Sequence, residues 1–242
     1  MSLFRPGGLE LTKHAIKQCG ISKGAEVLDV GCGDGTSVEY MVKELGLNAK
    51  GIDTSEELIK KGRQRCDKLD LSVMTGCELP YPIRSFDAVT MECSLSVIDM
   101  QIEALHEAYC ILRQGGYLIV SDVYLLHPPM GRANESRAAA IAESHRKREH
   151  EECQENKATP SPVCLDGAFV KPFLLQELED MDFDVVSFED KTPMLQTWAA
   201  ELIMKYGSFE EFCAKEGACD TCFSKLTDRK NVGYFLLTAR KK

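Results

Sequence analysis

The stretch VLDVGCGDGT, residues 27–36, decides the fold of this chain. It begins as an apolar run that is typical of a buried strand, and glycines then follow at Gly31, Gly33 and Gly35. Glycine permits positive φ and lets a ligand approach the main chain without a Cβ between them. A helix that starts directly after the turn offers unpaired N–H groups. The stretch therefore predicts a strand, a tight ligand-binding turn and a helix; a turn without a ligand is the alternative.

Strands and helices alternate on both sides of this turn. Apolar patterning predicts an N-terminal helix at 9–19, strands at 25–30, 49–53, 71–75, 86–91 and 117–123, and intervening helices at 36–45, 54–66 and 102–112. Alternation at this spacing implies parallel strands joined by crossover helices. We therefore predict an α/β fold with a doubly wound, mostly parallel sheet that is covered by helices on both faces.

The alternation stops after residue 124 and resumes near residue 173. Residues 132–152 are rich in strong helix formers, so we interpret 125–172 as an inserted helical cap. A solvated loop is the alternative, because the segment is also dense in charge. Residues 1–124 then form the N-terminal helix and the first half of the sheet. Residues 173–242 complete a seven-stranded sheet, with helices at 173–181 and 194–212 and strands at 183–188 and 232–239.

Charge and hydropathy restrict the partners. The net charge is −9, with 38 acidic against 29 basic residues, so the chain repels nucleic-acid phosphates and anionic lipid. Its apolar runs fall short of the roughly 18 residues of a membrane span, and residues 1–8 lack the features of a signal peptide. We expect a cytoplasmic protein that acts on a small molecule. The sequence does not indicate an oligomeric state.

Asp53 closes the second predicted strand, about 20 residues after the glycine turn. In open α/β sheets, ligands bind beyond the carboxyl ends of the strands, where a carboxylate can accept hydrogen bonds from both hydroxyls of a ribose. The turn and Asp53 together predict a nucleoside site. The dinucleotide motif G-x-G-x-x-G would need glycine at position 36, which is Thr36 here. A nicotinamide-dependent oxidoreductase is therefore the less favoured interpretation.

Residues 26–36, EVLDVGCGDGT, resemble the first motif of the class I S-adenosylmethionine (SAM) dependent methyltransferases. The segments LPYP (79–82), SFDAV (85–89), ILRQGG (111–116) and SD (121–122) follow in the order and spacing of later motifs of that family. The motif set most resembles the quinone-biosynthesis and arsenite branches. The resemblance implies a Rossmann-like fold, SAM as the cofactor and methyl transfer to a small-molecule acceptor.

The same resemblance implies roles for individual residues. The glycines bring main chain to the amino-acid part of SAM, Asp29 or Asp34 helps to hold its ammonium group, and Asp53 takes the ribose hydroxyls. The family often has an acidic residue that contacts the adenine amino group. Here that neighbourhood is residues 75–78, TGCE, so main-chain groups or the Thr75 hydroxyl are expected to recognise the adenine. The predicted cofactor-binding residues are Asp29, Gly31, Cys32, Gly33, Asp34, Gly35, Asp53, Thr54, Thr75, Gly76, Cys77, Glu92 and Cys93. Residues 5–8, RPGG, are either a lid over the cofactor or a frayed terminus.

Methyl transfer from a sulfonium is an in-line displacement, so the protein chiefly supplies proximity, alignment and exclusion of water. Glu92 is a candidate base or counter-charge, or else a structural residue at the core edge. Tyr124 is a candidate for the acceptor pocket. Segments 121–124 and 164–168 resemble arsenite methyltransferases, which makes Cys164 a candidate ligand for trivalent arsenic. An isolated thiol is the alternative for Cys164.

The chain contains 11 cysteines, an odd number that favours free thiols over a disulfide framework. Cys213, Cys219 and Cys222 form a C-x5-C-x2-C pattern that is a weak metal signal, because one close pair is only half of a tetrahedral site. We predict no resident metal and favour free thiols or a reversible disulfide there. A SAM-binding, thiol or metal redox module without methyl transfer is a further alternative.

Overall fold

A seven-stranded sheet lies at the centre of the fold. The computed structural model describes residues 5–127, 167–208, 211–212, 215 and 231–242. The strands are β1 (Glu26–Val30), β2 (Asn48–Asp53), β3 (Asp70–Val73), β4 (Phe86–Glu92), β5 (Leu112–Leu125), β6 (Phe183–Asp190) and β7 (Val232–Lys241). The helices are α1 (Gly8–Gln18), α2 (Thr36–Lys43), α3 (Glu56–Arg65), α4 (Gln101–Ile111), α5 (Lys171–Asp180) and α6 (Thr192–Tyr206).

The strand order is β3-β2-β1-β4-β5-β7-β6, and only β7 runs against its neighbours among these strands. The chain moves outward from β1 to β3, then crosses back and continues on the other side with β4. The carboxyl ends of β1 and β4 are therefore the point at which the winding direction changes, which is where open α/β sheets bind ligands. The order confirms the predicted doubly wound, mostly parallel sheet.

Helices cover both faces of the sheet because successive strand residues point to opposite sides. Val27 of β1 packs into one apolar cluster with residues of α1, α2, α3 and α6, including Leu11, Val38 and Trp198. Leu28 packs into the other cluster, which includes residues of α4 and α5 such as Leu178. This three-layer arrangement holds the carboxyl ends of the parallel strands at one edge.

The bounds of most elements differ from the predicted ones by one or two residues, and the largest differences are in two elements. The strand expected at 117–123 already begins at Leu112, where α4 ends, and the register between β4 and β5 shifts between Phe86 and Ala88. The helix expected at 194–212 is Thr192–Tyr206, and Gly207 with φ 90° follows it directly. Glycine after a helix end is a common stop because it accepts positive φ.

Most of the predicted cap, residues 128–166, lies outside the described residues, so the domain limits at 125 and 172 stay predictions. Both flanks of this segment lie on the sheet. Phe169 forms an isolated parallel bridge with Tyr124. Its N–H donates to the Val123 carbonyl at 3.1 Å, and the Leu125 N–H donates to the Phe169 carbonyl at 2.9 Å. Among the described helices, none is both long and apolar enough to cross a membrane.

We predict that Phe235→Ala destabilises the protein strongly. The Phe235 ring is fully buried, stacks on Phe188 at 4.9 Å between centroids and meets Tyr124 and Phe169 edge-on. Its removal leaves a cavity, and the expected loss in the free energy of unfolding is about 3–5 kcal/mol. Denaturant unfolding measures this loss. Ile83→Ala is the control, since Ile83 is exposed and its change should stay within about 0.5 kcal/mol. Equal effects of the two substitutions would contradict the prediction.

Candidate functional site

The turn between β1 and α2 contains three glycines with positive φ: Gly31 (76°), Gly33 (57°) and Gly35 (74°). A Cβ at Gly31 would lie 2.3 Å from the Ser94 Cβ, and one at Gly35 would lie 2.7 Å from a methyl carbon of Leu71. These two glycines are needed for packing. A Cβ at Gly33 would meet nothing within 4 Å. Gly33 therefore faces open space, where a ligand can approach the main chain.

Asp53 lies at the end of β2 and is held by two N–H donors. The Gly33 N–H donates to Oδ2 and the Ser55 N–H to Oδ1, each at 2.8 Å. Asp53 is only half-buried, and Thr54 beside it is exposed. A carboxylate has about four acceptor sites, so Asp53 can still accept hydrogen bonds from a diol. The structure thus brings the predicted glycine turn and the predicted carboxylate together.

The residues predicted near an adenine form a turn after β3. The Cys77 N–H donates to the Thr75 Oγ1 at 3.2 Å, and the Cys77 thiol donates to the Met100 carbonyl at 3.6 Å. A Cβ at Gly76 would lie 2.7 Å from a Val30 methyl carbon, so this turn packs against the end of β1. The Gly76 contact places this turn beside the end of β1, and β3 itself ends at Val73. A role for Thr75, Gly76 and Cys77 in binding adenine stays a prediction.

Asp29 and Asp34 have different surroundings. Asp29 is buried, and its Oδ1 accepts a hydrogen bond from the Thr90 Oγ1 at 2.7 Å. Burial, together with the negative charge of Glu92, raises the pKa of Asp29 to about 7. The Asp34 carboxylate instead accepts from the N–H and Oγ1 of Thr36 and pairs with Arg65 at 2.6 Å. Of the two candidates for binding the SAM ammonium group, Asp34 is already paired with a cation. Asp29 has no cationic partner within ion-pair distance among the described residues.

Glu92 ends β4 inside a cluster of polar side chains. It pairs with Arg5 through Nη2 and Oε2 at 2.8 Å, and the Thr12 Oγ1 donates to its Oε1 at 2.9 Å. The same Arg5 nitrogen donates to the Thr12 Oγ1 at 2.6 Å and to the Ser37 Oγ at 3.0 Å. Arg5 thus ties the segment before α1 to α2 and to the end of β4. Arg5 is therefore held against the fold, and a lid formed by residues 5–8 stays a prediction.

Cys93 follows Glu92 with φ 55°, a conformation that non-glycine residues adopt only with support. Its N–H donates to the Ser121 carbonyl at 2.7 Å, and the next residue, Ser94, donates through Oγ to the Val30 carbonyl at 2.6 Å. The Cys93 thiol lies 3.0 Å from the Tyr234 Oη, which donates to the Ser121 Oγ at 3.1 Å. Burial raises the pKa of Cys93, so it stays a thiol and acts as a packing and hydrogen-bonding group.

Cys32 is half-buried. Its sulfur lies 2.7 Å from the position of a Cβ on Gly51, and it donates to the Gly33 carbonyl at 3.7 Å. Burial raises the pKa of Cys32, and the nearby Asp29 carboxylate adds to this effect. The thiol therefore packs against the apolar cluster that contains Val27 and Val38.

The structure does not bring Tyr124 to the Glu92 cluster. Its ring packs edge-on against Phe188 at 5.5 Å and Phe235 at 5.9 Å, in the apolar cluster on the α4 and α5 face. Cys93 and Tyr234 belong to the cluster on the opposite face. Alternation along β5 explains the difference, because neighbouring residues such as Val123 and Tyr124 face opposite sides. A role for Tyr124 at the acceptor stays a prediction without a supporting contact.

The remaining cysteine predictions fall outside the described residues, namely Cys164, Cys213, Cys219 and Cys222. Six cysteines in the described part are free thiols: Cys19, Cys32, Cys66, Cys77, Cys93 and Cys110. Within that part of the chain, no group of three or more His, Cys, Asp or Glu residues could hold a metal ion.

Sequence reasoning missed three partners in the site: Thr12, Ser37 and Tyr234. Each is a common polar residue within an apolar helix or strand pattern, and only the tertiary fold brings it to the switch point. The RPGG segment was the one available signal, because a loop before α1 can reach the carboxyl edge of the sheet.

Comparison with known proteins agrees with this geometry. Residues 28–120 match the family described as "Methyltransferase domain". The chain matches this family over less than half of its length. It is 34% identical over 117 residues to the demethylmenaquinone methyltransferase of Listeria welshimeri, covering 46% of this chain and 50% of that protein. It is 36% identical over 112 residues to the Tropheryma whipplei enzyme of the same name, covering 46% of each chain. The chain spans about half the length of the curated relatives it matches.

Solved structures share the fold of this chain at lower identity. Phosphoethanolamine N-methyltransferase 2 of Haemonchus contortus, in complex with SAM, superposes with a TM-score of 0.72 at 19% identity. That match covers 98% of this chain and 53% of the other. The [4+2]-cyclase SpnF gives a TM-score of 0.69 at 22% identity, with 96% and 81% covered. Since a cyclase shares the fold, the architecture alone does not define the chemistry.

We predict that Gly31→Ala destabilises the protein more than Gly33→Ala. Both substitutions force an L-residue to positive φ, which costs about 1–2 kcal/mol. At Gly31 the new Cβ also collides with Ser94, which raises the expected loss in the free energy of unfolding to about 2–5 kcal/mol. Urea denaturation of the two variants tests the difference. Equal losses would mean that the space beside Gly33 is as filled as that beside Gly31.

Proposed function

We propose that the chain is a SAM-dependent methyltransferase that methylates a small-molecule acceptor. The observation that carries the proposal is the hydrogen bond from the Gly33 N–H to the Asp53 carboxylate, beside the open space at Gly33. It joins the two elements that a nucleoside cofactor needs, at the switch point of a methyltransferase domain.

The residues present fit SAM at both ends. The open space at Gly33 admits the cofactor next to main chain, and Asp53 retains acceptor sites for the ribose hydroxyls. SAM has a net positive charge, because it carries a sulfonium and an ammonium group but only one carboxylate. Asp29 and Glu92 contribute two carboxyl groups to this region and Arg5 contributes one positive charge, so an ionised Asp29 leaves a net negative charge that suits a cation.

When bound, SAM supplies a methyl group on a sulfonium leaving group. The chain's own residues hold and shield it. Asp53 and the Gly33 main chain fix the nucleoside, and the buried end of β4 excludes water near Glu92. Both oxygens of Glu92 accept hydrogen bonds from Thr12, and one also pairs with Arg5. Glu92 is therefore placed as a fixed counter-charge, and its role as a general base is not favoured by these contacts.

The curated relatives named above are demethylmenaquinone methyltransferases, so a reduced quinone is the first acceptor to test. Arsenite, the acceptor that Cys164 would serve, has no support among these relatives. A nucleotide-dependent oxidoreductase and a binding or redox module likewise lack a supporting contact in the described residues.

The first test is the SAM affinity of an Asp53→Ala variant, measured by titration calorimetry. Hydrogen bonds to a charged group contribute about 1.5–3 kcal/mol, so the dissociation constant should rise about tenfold to a hundredfold. Asp70→Ala is the matched control, because Asp70 is an exposed carboxylate that pairs with Lys50 on the sheet. An unchanged affinity in Asp53→Ala would overturn the proposed site.

Methyl transfer itself is tested with labelled SAM and three acceptor classes: a demethylated quinol, small thiols and arsenite. We expect a methylated quinol by mass spectrometry. Methylation of arsenite instead would favour the Cys164 alternative. SAM binding without transfer to any of the three would contradict the transferase assignment and favour a binding module.

We predict that SAM affinity rises with pH between about 6 and 8. The pKa of Asp29 is raised to about 7 by burial and by Glu92, while Thr90 and Arg5 act in the opposite direction and Asp53 adds to the rise. Above this pKa the carboxylate is ionised and attracts the cationic cofactor; below it the carboxyl is neutral. The gain should reach about tenfold if only the ionised form binds. Calorimetry across this pH range measures it, and Asp29→Asn should flatten the profile. A profile that is unchanged in Asp29→Asn would assign the pH dependence to another group.

A further inference from the structure

Arg5 is the charged residue of the site whose hydrogen bonding is incomplete. Its side chain is 14% exposed and lies between α1, α2 and the end of β4. One nitrogen, Nη2, serves three acceptors: Glu92, Thr12 and Ser37. The other terminal nitrogen, Nη1, is buried without a partner.

A buried guanidinium N–H without an acceptor is costly and calls for an explanation. Of the buried side-chain N and O atoms without a partner in the described part of the chain, Arg5 Nη1 is the only one that belongs to a charged group. The others are hydroxyl oxygens, of Ser85, Ser96 and Thr238. The acceptor that Nη1 lacks is best supplied by an anion, because a guanidinium matches the planar geometry of a carboxylate.

The position of Arg5 relative to the switch point limits which anion this can be. Ser37, which Arg5 contacts, lies in the first turn of α2, directly after the glycine turn. The cap residue of α2 is Gly35, and the Asp34 carboxylate accepts from the Thr36 N–H alone among the first N–H groups; a helix N-terminus favours negative charge. Arg5 and this helix start therefore face the same region as Glu92 and Asp29.

We propose that Arg5 binds the carboxylate of the amino-acid part of SAM. The inference rests on the proposed function. Arg5 Nη1 and the first turn of α2 receive the carboxylate, while Asp29 and Glu92 receive the ammonium group. The segment before α1 thereby closes over the cofactor and selects for a complete amino-acid group. Arg5 is a cofactor-binding and specificity-determining residue that also fixes Glu92.

The test compares SAM with decarboxylated SAM, which lacks only the carboxylate. Dissociation constants for both are measured by calorimetry for the natural chain, Arg5→Ala, Arg5→Lys and Lys13→Ala. Lys13→Ala is the matched control, since Lys13 is an exposed cation on α1. The natural chain should prefer SAM by roughly tenfold to a hundredfold, the effect expected of one charge-assisted contact.

In Arg5→Ala we expect SAM to bind about tenfold to a hundredfold more weakly, while the affinity for decarboxylated SAM changes by less than about threefold. The preference for SAM should then nearly vanish. Arg5→Lys keeps a positive charge beside Glu92 but has one terminal nitrogen in place of Nη1 and Nη2. This variant should therefore keep the fold and lose most of the preference for SAM. Lys13→Ala should behave as the natural chain does.

A preference for SAM that persists in both Arg5 variants would overturn the inference and leave the proposed function intact. Equal weakening of both compounds would also overturn it, since that result would show a purely structural role through Glu92. Failure of the natural chain to bind either compound would instead overturn the proposed function. Thermal unfolding of each variant, measured alongside, keeps loss of fold separate from loss of binding.

Discussion

The hydrogen bond between the Gly33 N–H and the Asp53 carboxylate is the contact on which the site depends. It joins the turn after β1 to the turn after β2, at the carboxyl edge where the winding of the sheet reverses. Because Asp53 is also held by the Ser55 N–H, the start of α3 is fixed by the same side chain. One carboxylate thus orders two loops and still has acceptor sites that face solvent. The parallel sheet places the two turns at the same edge, and this hydrogen bond fixes their relative position.

The second organising feature is the buried ionic cluster beside that edge. Asp29 and Glu92 are both almost fully buried, and carboxylates are rarely buried unless they are paired or hydrogen-bonded. Thr90 satisfies Asp29, and Thr12 and Arg5 satisfy Glu92. Arg5 belongs to the segment before α1, so the negative charge of β4 is balanced by a residue far away in the sequence. The cluster links helix placement to the electrostatics of the site, because loss of any member leaves another one buried and unpaired.

Much of this arrangement was predictable from the sequence, and the reasons differ by element. The alternation of apolar runs and helix signals predicts the sheet, since parallel strands need crossovers. The spacing from the glycine turn to Asp53 predicts their meeting, because β1 and β2 are adjacent parallel strands. Periodicity cannot reveal that Arg5 reaches Glu92, since that contact depends on the packing of α1. The same limit explains Tyr124, whose side was set by the register of β5, and Asp34, which turned to Arg65 and the start of α2.

The place of β7 in the sheet has a consequence for biosynthesis. β7 follows β6 in the chain but lies between β5 and β6, and it pairs with β5 from Tyr117 to Leu125. On the ribosome, the nascent polypeptide therefore displays an open β5 edge while β6 has already emerged. An open strand edge is prone to pair with other chains. Folding intermediates in which β7 has not yet paired with β5 therefore expose this edge to other chains.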